Sequence, residues 1–350
     1  MKNNLFNFSY LLLSFLFITS CSQTQDVGQN NSGEWLIPTS SVFDGGPGKD
    51  GIPSIDNPTY VTASEVNYMD DNDLVIAIKS GDEIKAYTHP VLDWHEIVND
   101  EIGDIKYALT YCPLTGTGIG WNRVINGQTT TFGVSGKLFN TNLMPFDRQT
   151  ESYWSQLRLD CVTGELINEK SDNIMFFETT WKTWISLYPN APIISTNTGF
   201  NRNYNQYPYG EYKTDNSLLF FPVDNQSNAL PQKERVLSLY LNDITKVYTF
   251  DSFSESRVNV ITDIVDGQNI IVVGSKEDNF MAAFSNPSNI SFEAVVDNYP
   301  VVLKDTEGNE WDVFGIAVSG PRKGQKLEKP TSMMAYWFAV VAFYPDVVIY

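Results

Sequence analysis

The chain is organised around the stretch from 87 to 156, which carries four dense motifs: YTHPVLDWHEIVND (87–100), LTYCPLTGT (109–117), FGVSG (132–136) and FDRQTESYWSQ (146–156). Runs of β-branched and aromatic residues, broken by turn residues, predict short strands around these motifs. Ile105–Tyr111 is typical of a strand that delivers Cys112 to its end, because Pro113 cannot continue a central ladder. Asn126-Gly127 predicts a two-residue hairpin. The sequence therefore predicts a mainly β fold (α+β with few short helices).

Composition places the chain among folded globular proteins. Of its 350 residues, 42% are hydrophobic and 13% aromatic, which is far from a disordered profile. The net charge of -19 argues against nucleic acid as a partner, because neutralising phosphates requires clustered lysine and arginine.

Two segments, about 72–166 and 234–325, resemble each other. Lys85-Ala86-Tyr87-Thr88 is echoed by Lys246-Val247-Tyr248-Thr249, and FGVSG (132–136) by FGIAVSG (314–320). An internal duplication would give two related β-rich lobes within one compact body, 37–350, joined by an aromatic-rich segment. Chance similarity between β-rich sequences is the alternative. The second copy lacks the reactive side chains of the first.

Two apolar segments predict other elements. Glu178–Leu187 has helical spacing and stops before Pro189. Met334–Tyr350 is apolar and aromatic, and we expect it to dock into the core rather than to anchor in lipid.

The N-terminal sequence predicts where in the cell the protein is located. Residues 1–20 have the form of a lipoprotein signal peptide, with a short apolar core that ends at Ile18-Thr19-Ser20-Cys21. Lipidation of Cys21 would attach the protein to a membrane, and Ser22 resembles the class directed to the bacterial outer membrane. Residues 21–36 are then a flexible tether. A plain secretory signal with Cys21 incidental is the alternative.

Reactive side chains concentrate in the central stretch, which holds both histidines and Cys112. Cys112 and Thr115 form a Cys-x-x-Thr pattern in which the hydroxyl would stabilise a thiolate. His95 would act as base for Cys112, oriented by Glu96 or Asp100, with Asn99 nearby. Buried packing is the other interpretation of a lone cysteine.

A soft metal site is a further hypothesis. Cys112, His95, His89 and Met144 would make a nitrogen and sulfur set suited to copper. A three-histidine zinc site is impossible, since the chain has two histidines. Pairing of Cys112 with Cys161 is left open by the sequence.

The polar run after residue 146 has two interpretations. Asp147 and Glu151 would bracket Arg148 in a structural network, or Arg148 would bind an anionic substrate group.

Taken together, these motifs resemble the prokaryotic family catalogued as domain of unknown function 3179, from Gly45 to Tyr350. The quoted segments that match include KDGIP (49–53), WHEIVND (94–100), TYCPL (110–114), DRQTES (147–152) and AFYPD (342–346). The family typically has Cys-Pro-Leu-Cys where this chain has Cys112-Pro113-Leu114-Thr115, and some members resemble selenoproteins. That resemblance implies redox or soft-metal chemistry at Cys112, while Thr115 removes an intramotif disulfide.

Two functions from different classes follow. The first is thiol redox or copper handling by an outer-membrane lipoprotein, with Cys112 as nucleophile or ligand. The second is a non-enzymatic module that binds a ligand or partner through the aromatic segment near Tyr207–Tyr212.

Overall fold

The computed structural model describes residues 33–350, which form one compact unit. The predicted signal peptide and the lipidation site Cys21 lie outside the described residues. Within the described part of the chain, no helix is long and apolar enough to cross a membrane.

We call residues 42–194 the first lobe, 195–234 the connecting segment and 235–350 the second lobe. The strands of the first lobe are β1 (Val42–Asp44), β2 (Ile55–Asp56), β3 (Tyr60–Val61), β4 (Leu74–Ser80), β5 (Glu83–Thr88), β6 (Ile97–Ile102), β7 (Ile105–Cys112), β8 (Thr117–Asn122), β9 (Val124–Ile125), β10 (Gln128–Thr129), β11 (Phe132–Phe139), β12 (Asn142–Asp147), β13 (Tyr153–Ser155), β14 (Asp160–Thr163), β15 (Asn173–Ile174), β16 (Phe177–Thr180) and β17 (Ile193–Ile194). Its helices are α1 (His89–His95) and α2 (Trp181–Leu187).

The second lobe continues the same mixture of short strands with one helix. Its elements are β18 (Arg235–Leu241), β19 (Ile244–Thr249), β20 (Asn259–Val265), β21 (Gln268–Ser275), β22 (Phe280–Ser285), β23 (Phe292–Ala294), β24 (Val301–Asp305), β25 (Glu310–Asp312), β26 (Ala317–Ser319), β27 (Ser332–Tyr336), α3 (Trp337–Phe343) and β28 (Val348–Ile349). Single 3-10 turns lie at Thr39–Ser41, Ala63–Glu65 and Phe250–Phe253.

The mainly β prediction is confirmed, and several local predictions are close. The predicted strand before Pro113 is β7, and Asn126-Gly127 joins β9 to β10 with both residues at positive φ. The predicted helix 178–187 begins only at Trp181, because Phe177–Thr180 pairs with β4 as a strand and Thr180 then caps α2 by accepting from Thr183 N. The C-terminal segment packs as expected, since α3 is buried from Trp337 to Ala342.

The two lobes have the same order of strands in one of their sheets. In the first lobe the order is β16-β4-β5-β17, with β17 parallel to β5, and β3 is added at the edge. In the second lobe the order is β27-β18-β19-β28, with β28 parallel to β19. In both lobes the first strand of this order runs directly into a seven-residue helix, α2 or α3.

A Lys–Asp–Tyr cluster also recurs at matching positions. Lys85 on β5 pairs with Asp100 on β6 at 3.0 Å, and Lys246 on β19 pairs with Asp263 on β20 at 2.6 Å. Tyr248 donates to Asp263, as Tyr87 donates to Asp100. The two FG-containing motifs do not match in this way, because 132–136 lies in β11 whereas 314–320 spans a turn and β26.

Candidate functional site

The loop from Cys112 to Thr117 is a tight turn between β7 and β8. Cys112 and Thr117 are paired across the two strands, and Thr115 N donates to Cys112 O at 3.2 Å. Gly116 adopts a φ of 60°, the left-handed region that glycine enters at no steric cost. This geometry places the cysteine at a strand end, as the sequence indicates, but turned into the protein.

The Cys112 thiol is buried and poorly suited to ionise. Burial raises its pKa to about 11, and the negative charge of Glu96 adds to the rise, while hydrogen bonds from Thr115 and from the Leu143 backbone oppose it. Sγ lies 3.8 Å from Thr141 O. At neutral pH the sulfur is therefore a protonated thiol, which is a weak nucleophile and a weak metal ligand.

A buried network of hydrogen bonds holds the loop between β7 and β8 in place. Gln156 Oε1 accepts from Thr117 at 2.6 Å and from Asn142 at 2.7 Å, and its amide donates to Thr110 O at 3.0 Å. Asn142 also donates to the Thr115 hydroxyl at 2.9 Å. A satisfied network of this kind stiffens a core and selects one loop geometry.

The histidine expected to activate Cys112 has other partners. His95 Nδ1 donates to Pro53 O at 2.8 Å, so Nε2 accepts from the Tyr204 hydroxyl at 2.7 Å. Burial lowers the pKa of His95. Both ring nitrogens are thus occupied by groups other than Cys112, Glu96 or Asp100, and the predicted orientation of His95 by a carboxylate is wrong.

His89 is also committed elsewhere. Its Nε2 lies 3.2 Å from Glu178, and its Nδ1 lies 3.0 Å from the Tyr111 hydroxyl. Burial lowers the pKa of His89 although the Glu178 carboxylate opposes this.

The predicted copper ligands are not brought together. Residues 33–350 contain no group of three His, Cys, Asp or Glu side chains placed to hold a metal ion. Met144 packs with Ile37 and Val162 in a separate apolar cluster from that of Cys112. Cys112 and Cys161 are both free and buried, so the structure holds no disulfide between them.

Two predicted supporting residues are structural. Asn99 exchanges hydrogen bonds with the Phe132 backbone at 2.8 Å and donates to Asp56, which joins β6 to β11 and β2. The Asp100 carboxylate accepts from several groups and is satisfied by them: the hydroxyls of Tyr60, Tyr87 and Tyr107, and the ammonium of Lys85.

The polar run 147–151 is a network, with partners different from those predicted. Arg148 donates to Asp50 at 2.7 Å, to Ser54 and to Phe132 O, which leaves its guanidinium occupied by protein. Glu151 pairs with Lys49 at 2.9 Å. Asp147 accepts from Thr150 and from the Trp154 indole. The prediction that Arg148 lies between Asp147 and Glu151 is wrong, because its acidic partners are Asp50, in the glycine-rich loop of residues 45–54 between β1 and β2, and Asp56 on β2.

Two of the predicted site residues line cavities: His89 lines one at the junction of the lobes, and Glu96 lines another. Glu96 caps the end of α1 with a φ of 57° and a ψ of -32°, a positive-φ conformation that is unfavourable for a residue with a side chain. It is 8% exposed, and Tyr209 donates to its Oε1 at 3.1 Å. Burial raises the pKa of Glu96 to about 7. In the described part of the chain, no lysine, arginine or histidine pairs with this carboxyl.

We call the space beside it the Glu96 cavity. Its volume is about 290 Å³, near the lower end for small-molecule sites. Most of the lining is apolar and comes from the glycine-rich loop, from β11 and from the connecting segment: Gly45, Pro47, Ile52, Leu114, Val134, Gly136, Lys137, Leu138, Leu143, Tyr209, Phe220 and Phe221. The wall is mainly apolar and carries two charged side chains, Glu96 and Lys137, and an apolar wall with few polar groups is the usual composition of a ligand site.

The connecting segment contributes more than sequence reasoning foresaw. Tyr209 lines the Glu96 cavity, while Tyr207, with its ring centroid 5.5 Å away, lines a second cavity at the junction of the lobes. Asp93, Lys213 and Lys233 of that second cavity were not predicted as site residues. The aromatic density of 204–212 was the available signal, and it pointed to the segment without identifying its polar partners.

The fold and these cavities define a mainly β protein of two lobes whose loops and connecting segment enclose internal ligand-sized spaces. The chain belongs to the family described as Protein of unknown function (DUF3179), whose model matches residues 49–347. Comparison with curated proteins and with solved structures finds no match for the chain.

Proposed function

We propose that this protein binds a small, mainly apolar molecule that carries an amine in the Glu96 cavity. The observation that carries the proposal is a buried carboxyl group without a cationic partner that lines an apolar cavity. Burying such a group is unfavourable unless it is paired, so its presence favours a function over a role in stability. A protonated amine supplies both the missing positive charge and hydrogen-bond donors.

This is the ligand-binding alternative of the sequence analysis, made specific. The raised pKa of Cys112 and the engagement of both histidine rings disfavour the thiol and copper hypotheses. Cys112 instead packs in the apolar core, and the negative charge of Glu96 adds to the rise in the pKa of its thiol.

The test uses phenethylamine and its uncharged analogue ethylbenzene, with binding measured by calorimetry and by ligand-observed NMR. We expect phenethylamine to bind, and Glu96→Gln to weaken it about tenfold, since one charged hydrogen bond is worth about 1.4 kcal/mol or more. Ethylbenzene should bind wild type and Glu96→Gln equally. The affinity for phenethylamine should rise from pH 6 to pH 8, because ionised Glu96 binds the ammonium group.

A matched pair of surface phenylalanines tests the location. Phe220 and Phe200 are similarly exposed, at 44% and 43%, but Phe220 alone of the two lines the cavity. Phe220→Ala should weaken the binding of both ligands, and Phe200→Ala should change the binding of neither. Equal binding of phenethylamine to wild type and Glu96→Gln, or no binding to either, would overturn the proposal.

We also propose that the protein is lipidated on Cys21 and is displayed in the bacterial cell envelope. The support is the sequence Ile18-Thr19-Ser20-Cys21 after a short apolar run. Metabolic labelling with an alkyne fatty acid should mark wild type and leave Cys21→Ala unlabelled; labelling of both would contradict this.

We further infer that the lobes derive from one ancestral unit by duplication. The matching sheet orders and the matching Lys–Asp–Tyr clusters support this. Under this scheme Ser275, the last residue of β21, corresponds to Cys112, the last residue of β7. An alignment of the two lobes across family members tests it: no similarity above that of unrelated β proteins would contradict the inference.

A further inference from the structure

The second cavity lies at the junction of the two lobes and has a volume of about 400 Å³. We call it the junction cavity. Helix α1, the loop between β7 and β8, the connecting segment and the second lobe all contribute to its wall. It is separate from the Glu96 cavity in lining and in polarity, because it is bordered by several charged side chains.

Matching positions of the two lobes meet there. Gly116 and Asn279 each precede the strand that pairs with the end of β7 or β21, and both have positive φ. Thr180 and Tyr336 each end the strand that leads into α2 or α3. All four line the junction cavity, so the cavity lies between equivalent faces of the lobes and is built from both.

One buried polar atom in this wall lacks a partner. Asp93 is 5% exposed, and its Oδ1 has no hydrogen-bond partner in the described structure. A buried carboxyl oxygen without a donor is unfavourable, and a bound ligand with a hydroxyl or amine would satisfy it.

The same wall presents positive charge. Arg235 is held by Glu178 and by Asn279 at 2.6 Å, and Lys233 Nζ donates to Tyr212 O and Leu218 O at 2.9 Å. Both cations therefore have fixed positions.

Lys213 completes the positive side. It is exposed at the mouth, and its Nζ lies 4.6 Å from the centroid of the Tyr207 ring. Within residues 33–350 it forms no ion pair, and is thus free to bind a ligand's anionic group.

We propose that the junction cavity binds a small organic acid that also carries a hydroxyl or amine group. Lys213 and Lys233 face its carboxylate, and Asp93 accepts from its hydroxyl or amine. Tyrosine rings from both lobes and from the connecting segment enclose the carbon skeleton. This site is independent of the proposed function at Glu96.

The test uses three four-carbon compounds and the full-length protein. Tartrate has both carboxylates and hydroxyls, succinate lacks the hydroxyls, and erythritol lacks the carboxylates. By calorimetry we expect tartrate to bind at least fivefold more tightly than either of the others. Lys213→Gln and Asp93→Asn should each weaken tartrate binding at least fivefold. Lys323 is an exposed lysine outside this cavity, and Lys323→Gln should not change tartrate binding.

Lys213 is a surface residue, so its substitution tests the site without perturbing the core; thermal unfolding of each variant verifies folding. Tartrate that binds all variants equally, or does not bind wild type, overturns the proposal. Phenethylamine binding to Asp93→Asn separates the two sites, because it should equal that of wild type whatever the result with tartrate.

Discussion

Glu96 shows how one residue can be recognised for the wrong reason. Its position next to His95 in the sequence predicts a carboxylate that orients an imidazole. In the structure, α1 ends between them, and the left-handed φ of Glu96 accompanies a change of surroundings. His95 binds Pro53 and Tyr204, while Glu96 meets Tyr209 and a cavity. Sequence neighbours at a helix end need not share an environment, and backbone conformation at a single residue decides which contacts each makes.

The buried Glu96 carboxyl should make stability depend on pH. Its folded pKa of about 7 lies above the ordinary value of 4.5, so the folded state retains a proton that the unfolded state releases. The resulting stabilisation is complete below pH 4.5 and is lost as pH rises through 7, by at most about 3 kcal/mol. Glu96→Gln cannot ionise and should be more stable than wild type at pH 8 by a similar amount.

Urea unfolding of wild type and Glu96→Gln at several pH values measures this difference. Using the difference removes the contribution of Asp93, whose pKa burial also raises to about 7. Glu165→Gln, at an exposed position, is the control and should change the free energy of unfolding little at any pH. A pH-independent difference between wild type and Glu96→Gln would contradict the prediction.

At the scale of elements, strand ends and hairpins followed from local sequence, while the packing between them did not. Pro113 marks the end of β7, and Asn126-Gly127 marks a turn, because each residue type restricts its own backbone. The hydrogen-bond partners of Arg148 include Asp50 and Ser54, almost 100 residues away in the sequence, and no local sequence pattern specifies them. The cavities were missed for the same reason, since their walls combine loops that only the tertiary fold brings together.

Strand β11 makes a close contact with the glycine-rich loop that forms one wall of the Glu96 cavity. The register of β11 with β12 shifts between Val134 and Lys137, and Gly136 there has a φ of 74°. A Cβ at Gly136 would lie 2.7 Å from Gly48 O, whereas a Cβ at Gly127, with φ of 76°, meets nothing within 4 Å. Gly136→Ala should therefore destabilise the protein by about 2 kcal/mol more than the roughly 1 kcal/mol expected for Gly127→Ala.

Denaturant unfolding of the two alanine variants checks this, and the matched φ values cancel the cost of the left-handed conformation. Gly136→Ala should also weaken phenethylamine binding, because the added methyl group displaces the glycine-rich loop from the wall of the Glu96 cavity. Equal destabilisation by the two substitutions would show that the loop yields without loss.

For the whole molecule, the lobes share one core. Phe177 of the first lobe packs against Phe280 and Phe314 of the second, with ring centroids 5.7 and 5.6 Å apart. Lys79 pairs with the buried Asp312 across the same boundary at 2.7 Å. The repeated Lys-x-Tyr-Thr pattern in the sequence indicated that the two lobes would contain similar sheets. The shared core between the lobes could not be predicted, because a strand pattern shows which face of a strand is apolar but not which element packs against that face.

A shared core predicts that the lobes unfold together. If either lobe opened alone, it would expose the apolar surface of both, at about 25 cal/mol per Å². Pulsed hydrogen exchange during urea unfolding should therefore give one midpoint for peptides from 74–194 and from 235–349. Phe177→Ala should reduce the free energy of unfolding by about 3–5 kcal/mol and so lower both midpoints together. Ile264→Ala, at a side chain that is 66% exposed, should lower neither midpoint. Two separate midpoints in wild type, or a shift confined to the first lobe in Phe177→Ala, would mean that each lobe is stable alone and that the junction cavity lies between independent units.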